Sequence, residues 1–189
     1  MNLPEILKRD YVQSILMIAV VILAVFLFWY GLRFAYNIEN PLLAVASGSM
    51  EPVLYEGDLI LVEGIQNFSD IHAAPKEDEI PGDIVVYQRR DKMIVHRVID
   101  MEYVNGEWVF TFLGDANGDT RDPTVNEDQI IGRYTGFKIP LLGHIALAFS
   151  DFTVKVAFVA VWIALLVVIE VVPLFQNRGK EAEEGSKPL

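Results

Sequence analysis

The sequence contains no cysteine. A disulfide framework, a cysteine-ligated zinc site and a cysteine nucleophile are thereby excluded, although the absence names no compartment. Positive charge is scarce as well: 15 Lys and Arg stand against 26 Asp and Glu, a formal net charge of −11. With so little basic surface to neutralise phosphates, nucleic acid is not expected as a partner, and broad adhesion to anionic lipid is disfavoured. Histidine is limited to three residues, so imidazole chemistry has few places to reside. What the chain has in quantity is apolar surface. Hydrophobic residues make up 52% of 189, and the mean hydropathy is +0.33. That is too apolar for an ordinary soluble domain of this size and points to a lipid bilayer as a partner.

The apolar residues are gathered at the two ends. Asn2-Leu3-Pro4-Glu5 reads as a helix start, with a capping Asn and Pro in the first turn. Lys8 and Arg9 close a short segment, residues 1–10, expected in the cytoplasm. An apolar run follows, and a transmembrane helix is expected over residues 11–34, with Gln13 and Ser14 as its early polar residues and Arg33 at its far end. Trp29 and Tyr30 suit the membrane interface there. A cleaved signal peptide is the rival reading, and Ala44-Val45-Ala46 resembles a small-x-small cleavage site. The apolar run exceeds the ~7–15 residues of a signal-peptide core, and Ala44 lies well beyond it, past Arg33 and Glu39, so an uncleaved anchor is expected. Residues 152–175 form a second expected span, with Lys155 and Glu170 near its ends. Its uninterrupted part, 156–169, is short, so spanning would require the flanking charges to snorkel; an amphipathic or buried helix is the alternative. The polar tail, 176–189, reads as disordered. Lys8, Arg9, Arg178 and Lys180 outweigh Arg33 and Lys155, which places both termini in the cytoplasm and residues 37–150 on the extracytoplasmic face.

Residues 37–150 are expected to be mainly β. Strand-like runs begin at Gly57-Asp58, Gly82-Asp83, Lys92, Glu107 and Ile130, and Val104-Asn105-Gly106-Glu107 suits a hairpin turn. Short β-rich runs separated by Gly, Asn and Asp indicate a small barrel or sandwich and not an α/β fold. Between them, 64–81 reads as an exposed loop, and Lys76-Glu77-Asp78-Glu79 as a solvated charge run.

Chemistry enters at Ser47-Gly48-Ser49-Met50-Glu51-Pro52. A turn of this kind can expose a serine oxygen beside free backbone N–H groups, two parts that acyl transfer needs. Taken alone it reads first as a plain loop. Among the histidines, His72 lies in the polar loop and His144 just before the second apolar run. His96 instead sits inside an apolar strand, on one face with Ile94 and Val98. Downstream, Gly114-Asp115-Ala116-Asn117-Gly118-Asp119-Thr120-Arg121-Asp122-Pro123 carries three carboxylates. They suit either a Ser–His–Asp arrangement or, as a lesser reading, calcium, though not with EF-hand spacing. No metal or cofactor is expected.

These segments, in this order, resemble the type I signal peptidases of the archaeal and endoplasmic-reticulum type. Ser47–Pro52 resembles the nucleophile box, Gly57-Asp58 and Gly82-Asp83-Ile84-Val85-Val86-Tyr87 the strand boxes, Ile94-Val95-His96-Arg97-Val98 the general-base box, and Gly114–Asn117 with Asp122-Pro123 the acidic box. The bacterial type has lysine where His96 stands. Lys92, on the same strand face, is a poor rival because the Arg-Val after the base aligns with His96. The resemblance implies a signal-peptidase-like β-barrel flanked by transmembrane helices. It implies Ser49 as nucleophile, His96 as general base, and the Ser49 N–H with the Ser47 hydroxyl as oxyanion donors. Asp122 matches the orienting acid, but the spacing from Asp115 is one residue longer than the family pattern, so Asp119 and Asp115 stay open. Met50 and Gly82, Asp83, Ile84, Val85, Val86 and Tyr87 are implied to pair with the substrate by β-addition. The implied substrates are secretory preproteins cut after small residues, beside the protein-translocation machinery, in the cell membrane or, in a eukaryote, the endoplasmic-reticulum membrane. Two other functions are weighed: a noncatalytic membrane-tethered β-barrel that binds signal peptides or assists assembly, and a relative of the soluble self-cleaving repressors. The apolar helices and His96 count against the latter.

Overall fold

The computed structural model describes residues 10–162 and residue 164. Helix α1 (Asp10–Ala35) is 26 residues long. Within it, Ile15–Ala35 is apolar enough to cross a membrane, with a mean hydropathy of 2.8, and none of it is buried in the protein. A helix apolar on every face needs an apolar surrounding, and at ~1.5 Å per residue this one is long enough to find it in a bilayer. The chain leaves the helix through Asn37, whose φ of 48° turns it sharply. Gly64 then donates its N–H to the Tyr36 carbonyl at 2.8 Å. A Cβ on Gly64 would lie 2.2 Å from the Asn37 carbonyl oxygen, so only glycine permits this approach.

The rest of this unit is one antiparallel sheet. Its strands are β1 (Leu42–Ala44), β2 (Leu59–Glu63), β3 (Ile84–Arg89), β4 (Lys92–Val104), β5 (Glu107–Leu113), β6 (Val125–Asn126) and β7 (Ile130–Ile139). Their order is β1-β2-β7-β3-β4-β5-β6. Among the described residues no ladder joins β6 back to β1, so the expected barrel is, in its hydrogen bonding, an open sheet. The expected hairpin turn is present: Asn105 and Gly106 both have positive φ, 54° and 97°, as a tight turn between twisted strands requires. β1 and β6 are strands that the sequence pattern alone leaves unassigned.

The return of β7 between β2 and β3 puts β3 in the middle of the sheet. Apolar residues on both its faces follow from that position. Ile84 and Val86 join Val45, Met50, Leu54, Ile60 and Val62 in one core; Val85 and Tyr87 join Ile71, Val98, Phe110, Phe112 and Val125 in another. The loop over 64–81 is more than a solvated linker. Ile71 and Ala74 are buried, and Lys76 donates to the Asp115 carbonyl.

Asp58 fastens the segment after Ser49 to β7. It accepts from the Tyr55 N–H at 3.0 Å and from Lys138 Nζ at 2.7 Å, and the same ammonium reaches the Val53 carbonyl at 2.9 Å. Burial pushes the Asp58 carboxyl up, but the Lys138 and Tyr55 hydrogen bonds outweigh it and hold the group below its usual range. A depressed carboxyl contributes stability above its unfolded pKa of ~3.9, lost as pH falls through the lower folded value. Asp58→Asn is therefore expected to cost about 2 kcal/mol at pH 7. The difference from wild type should shrink below pH ~4. Denaturant unfolding of the full chain in detergent at pH 7 and pH 3 reads both.

A second unit begins at Ile145. Its helix α2 is described over Phe152–Trp162 and is apolar there. The rest of the span expected over 152–175, the tail over 176–189 and residues 1–9 lie outside the described residues.

Candidate active site

The serine turn is built where β1 runs out. Val45 extends the pairing beyond β1, donating to Asp58 and accepting from Gly57, both at 2.9 Å. Ser47 is still extended, and Gly48–Met50 then forms one 3-10 turn. Met50 is 1% exposed in the first core and anchors the turn. This leaves Ser49 half-buried with its hydroxyl turned outward. The acidic loop closes on it from the other side, where the Ala116 N–H donates to the Ser49 carbonyl at 2.9 Å. Gly114 makes that approach possible, since a Cβ there would lie 2.7 Å from the Ser49 carbonyl oxygen.

Ser49 Oγ lies 3.0 Å from His96 Nε2. His96 belongs to β4, opposite Val85 of β3, and is 6% exposed. Its Nδ1 bonds Asp122 Oδ2. Asp122 follows β5 and is tied back to it, its N–H donating to the Phe112 carbonyl at 2.9 Å. The three side chains thus form a continuous hydrogen-bonded series from hydroxyl to imidazole to carboxylate. Ser47 Oγ stands 3.4 Å from Ser49 Oγ.

The three acids of the loop have separate surroundings. Asp115 is buried and accepts from Arg97 twice, Nε to Oδ1 at 2.9 Å and Nη2 to Oδ2 at 2.6 Å. The third arm of Arg97 donates to the Gly82 carbonyl at 2.6 Å, so this pair locks the loop to the start of β3. Asp119 is exposed. Only Asp122 meets His96, and among the described residues no three His, Asp or Glu converge as a metal site. Of the other histidines, His72 is exposed with its Nε2 at 3.0 Å from the Ile80 carbonyl, and His144 lies against Gly57. Ser49 bonds His96 and not Lys92, which lies exposed four residues earlier.

A groove of about 460 Å³ opens beside the serine. Leu43, Ala44, Val45 and Ala46 line it, as do Lys92, Met93, Ile94 and Val95, with Ser47, Ser49, Met50, His96 and Asn117. Among the described residues β1 pairs only with β2, and β4 pairs with β5 only from Arg97 onward. Residues 92–96 therefore have one backbone edge with no partner among the described residues.

This changes the reading of Gly82 to Tyr87. Over Val85–Tyr87 one edge of β3 is taken by β4 and the other by β7. Ile84, Val85, Val86 and Tyr87 are buried in the two cores. Gly82 packs against the backbone of Ala74 and Val98, and Asp83 accepts from the His72 N–H and Arg133. Over Val85–Tyr87 no edge is free for β-addition; a continuous apolar run belongs to a central strand. Met50 does line the groove. Residues 92–95 and Asn117 were missed as groove residues, and their signal lay in their closeness to the His96 and Asp115 segments. Tyr87 has another position: its hydroxyl donates to Asp122 Oδ2 at 2.9 Å.

No family model matches the chain. It is 34% identical over 172 residues to the signal peptidase complex catalytic subunit SEC11C of Rattus norvegicus, covering 85% of this chain and 84% of that protein. It is 33% identical over 162 residues to SEC11C of Homo sapiens, covering 80% and 79%. The signal peptidase complex catalytic subunit SEC11 of Saccharomyces cerevisiae (strain YJM789) is 27% identical over 154 residues, covering 76% and 86%.

Proposed function

Because the chain belongs to the family of signal peptidase catalytic subunits, the type I signal peptidases of the archaeal and endoplasmic-reticulum type, we propose that it is a membrane-bound serine endopeptidase that removes signal peptides from secretory preproteins, with Ser49, His96 and Asp122 as its catalytic set. The observation that carries this reading is the hydrogen-bonded series Ser49–His96–Asp122.

Ser49 Oγ attacks the scissile carbonyl as His96 Nε2 takes its proton. Asp122 holds the Nδ1–H tautomer and stabilises the imidazolium. The carbonyl oxygen becomes an oxyanion, received by the Ser49 N–H and the Ser47 hydroxyl. Collapse breaks the C–N bond, and His96 returns the proton to the departing amine. Water then repeats the sequence on the acyl-enzyme, with His96 again as base, and frees the signal peptide's new carboxylate and Ser49.

The preprotein lies extended in the groove, its backbone adding to the unpaired edge of residues 92–95 opposite residues 43–46. Helix α1 anchors the chain in the bilayer, with 152–175 as a second span and the catalytic part on the extracytoplasmic face. Enzyme and signal peptide then share one surface, which raises their effective concentration. The relatives are named as subunits of a complex; accessory subunits and the translocation machinery are the proposed neighbours.

Purified full chain in detergent should cleave a preprotein after a small residue. Replacing that residue with Phe should lower kcat/KM by roughly a hundredfold, the equivalent of ~3 kcal/mol of overpacking. Binding of the preprotein without Ser49-dependent cleavage would favour the noncatalytic alternative.

A further inference from the structure

We propose that Tyr87 is a positioning residue for this reaction, orienting Asp122 and, through the oxygen they share, setting how Asp122 holds the His96 imidazole. The inference rests on the Ser49–His96–Asp122 reading and extends it to a residue in the core.

Tyr87 is fully buried on β3, its ring stacked on Phe112 at 4.3 Å between centroids. The β3–β7 register shifts between Val86 and Tyr87, an irregularity of the sort that re-aims a side chain. The hydroxyl is thereby aimed out of the core at Asp122. It donates to Oδ2, the same oxygen that takes His96 Nδ1–H. On the other side, Arg89 Nη1 stands 4.0 Å from Oδ1. With the Asp122 N–H fixed to Phe112, the carboxylate is constrained from its backbone and from both oxygens.

Any buried tyrosine hydroxyl needs an acceptor, so the bond alone would be consistent with packing. The choice of oxygen gives it a chemical consequence. A donor on Oδ2 withdraws charge from the atom that faces the imidazole, so Asp122 stabilises the imidazolium less than it would unaided. The phenol remains a donor throughout the working range, because burial and then the Asp122 carboxylate push its own titration far up. The charged or titratable groups facing the phenol are Asp122 from the loop, Arg89 from its own strand and His96 edge-on from β4. The loss of the hydroxyl leaves Arg89 and the backbone bond holding Asp122 near His96.

Tyr87→Phe keeps the ring on Phe112 and removes only the donor. In full chain in detergent micelles, kcat for preprotein cleavage is expected to fall roughly tenfold with KM little changed. The acidic limb of the kcat/KM profile should move upward by about half a pH unit. In a Ser49→Ala background, the His96 imidazole followed by NMR should titrate correspondingly higher. A lower kcat with an unmoved limb and imidazole midpoint would reduce Tyr87 to packing and overturn the proposal, as would a variant identical to wild type. If the wild-type chain shows no Ser49-dependent cleavage, the proposed function falls instead. The imidazole titration then still decides whether Tyr87 acts on His96.

Discussion

Ser49→Ala is expected to abolish preprotein cleavage, lowering kcat by about six orders of magnitude, while the chain unfolds at the same denaturant concentration as wild type. Ser49 is half-buried, and its hydroxyl bonds His96 Nε2 and Ser47 Oγ, neither of which holds a strand or core in place. The turn is kept by Met50 in the first core and by the backbone bond from Ala116. Deleting one oxygen therefore removes the attacking atom and little else. His96→Ala should be about as severe, because without a base the hydroxyl remains protonated at neutral pH. Groups that act as a unit lose their effect together, so the double variant should be hardly worse than either single one. The measurement is single-turnover cleavage of a preprotein in detergent beside a denaturant melt of each variant. Cleavage by Ser49→Ala within a hundredfold of wild type would remove Ser49 from the nucleophile's place.

The sequence disclosed this site better than it disclosed the sheet around it. Ser49, His96 and the acidic loop were legible because each lies in a short segment whose residue types suit one step of acyl transfer, and because those segments occur in a recognisable order. The Asn105–Gly106 turn was legible for a local reason, since both residues tolerate the positive φ it needs. Strand neighbours were not local information. β3 is central only because β7, more than forty residues later, inserts beside it. The apolar run Ile84-Val85-Val86-Tyr87 carried the clue, since a strand with one solvated face alternates and this one does not. The free edge at 92–96 likewise depends on where β5 begins to pair. The bond from Tyr87 to Asp122 links positions that no periodicity relates.

Pairing also decides the fate of Ala44-Val45-Ala46. As a string it resembles a cleavage site placed just before Ser47. In the fold, the Val45 N–H and carbonyl are both engaged by the Gly57–Asp58 segment, and the side chain is buried in the first core. A substrate backbone must be free to lie along the groove; this one is already part of the wall. The same residues that look cleavable thus give the groove its small-residue side.

The three acids of the loop should separate cleanly when each is made an amide. Asp122→Asn is expected to lower kcat by about 10⁴ while leaving the fold intact. An amide can donate to Nδ1, which favours the imidazole tautomer protonated at Nε2, and that nitrogen then has no lone pair for the Ser49 proton. The backbone bond to Phe112 still holds the residue in place, so the loss is in chemistry. Asp115→Asn should do the opposite. Arg97 is 8% exposed at its side chain and would lose the charge opposite both Nε and Nη2. Leaving a buried charge unpaired costs about 3–5 kcal/mol, and at temperatures where the variant stays folded kcat should remain within about tenfold of wild type. Asp119, exposed in the same loop, should change stability by less than ~0.5 kcal/mol and activity not at all. Cleavage rates and denaturant melts for the three variants, run side by side in detergent, test the assignment. Asp122→Asn retaining activity, or Asp119→Asn losing it with its melt unchanged, would move the orienting role to another carboxylate. A loss of activity in Asp115→Asn that persists where the variant is folded would mean that the Arg97 pair acts on the chemistry and not only on the loop that carries it.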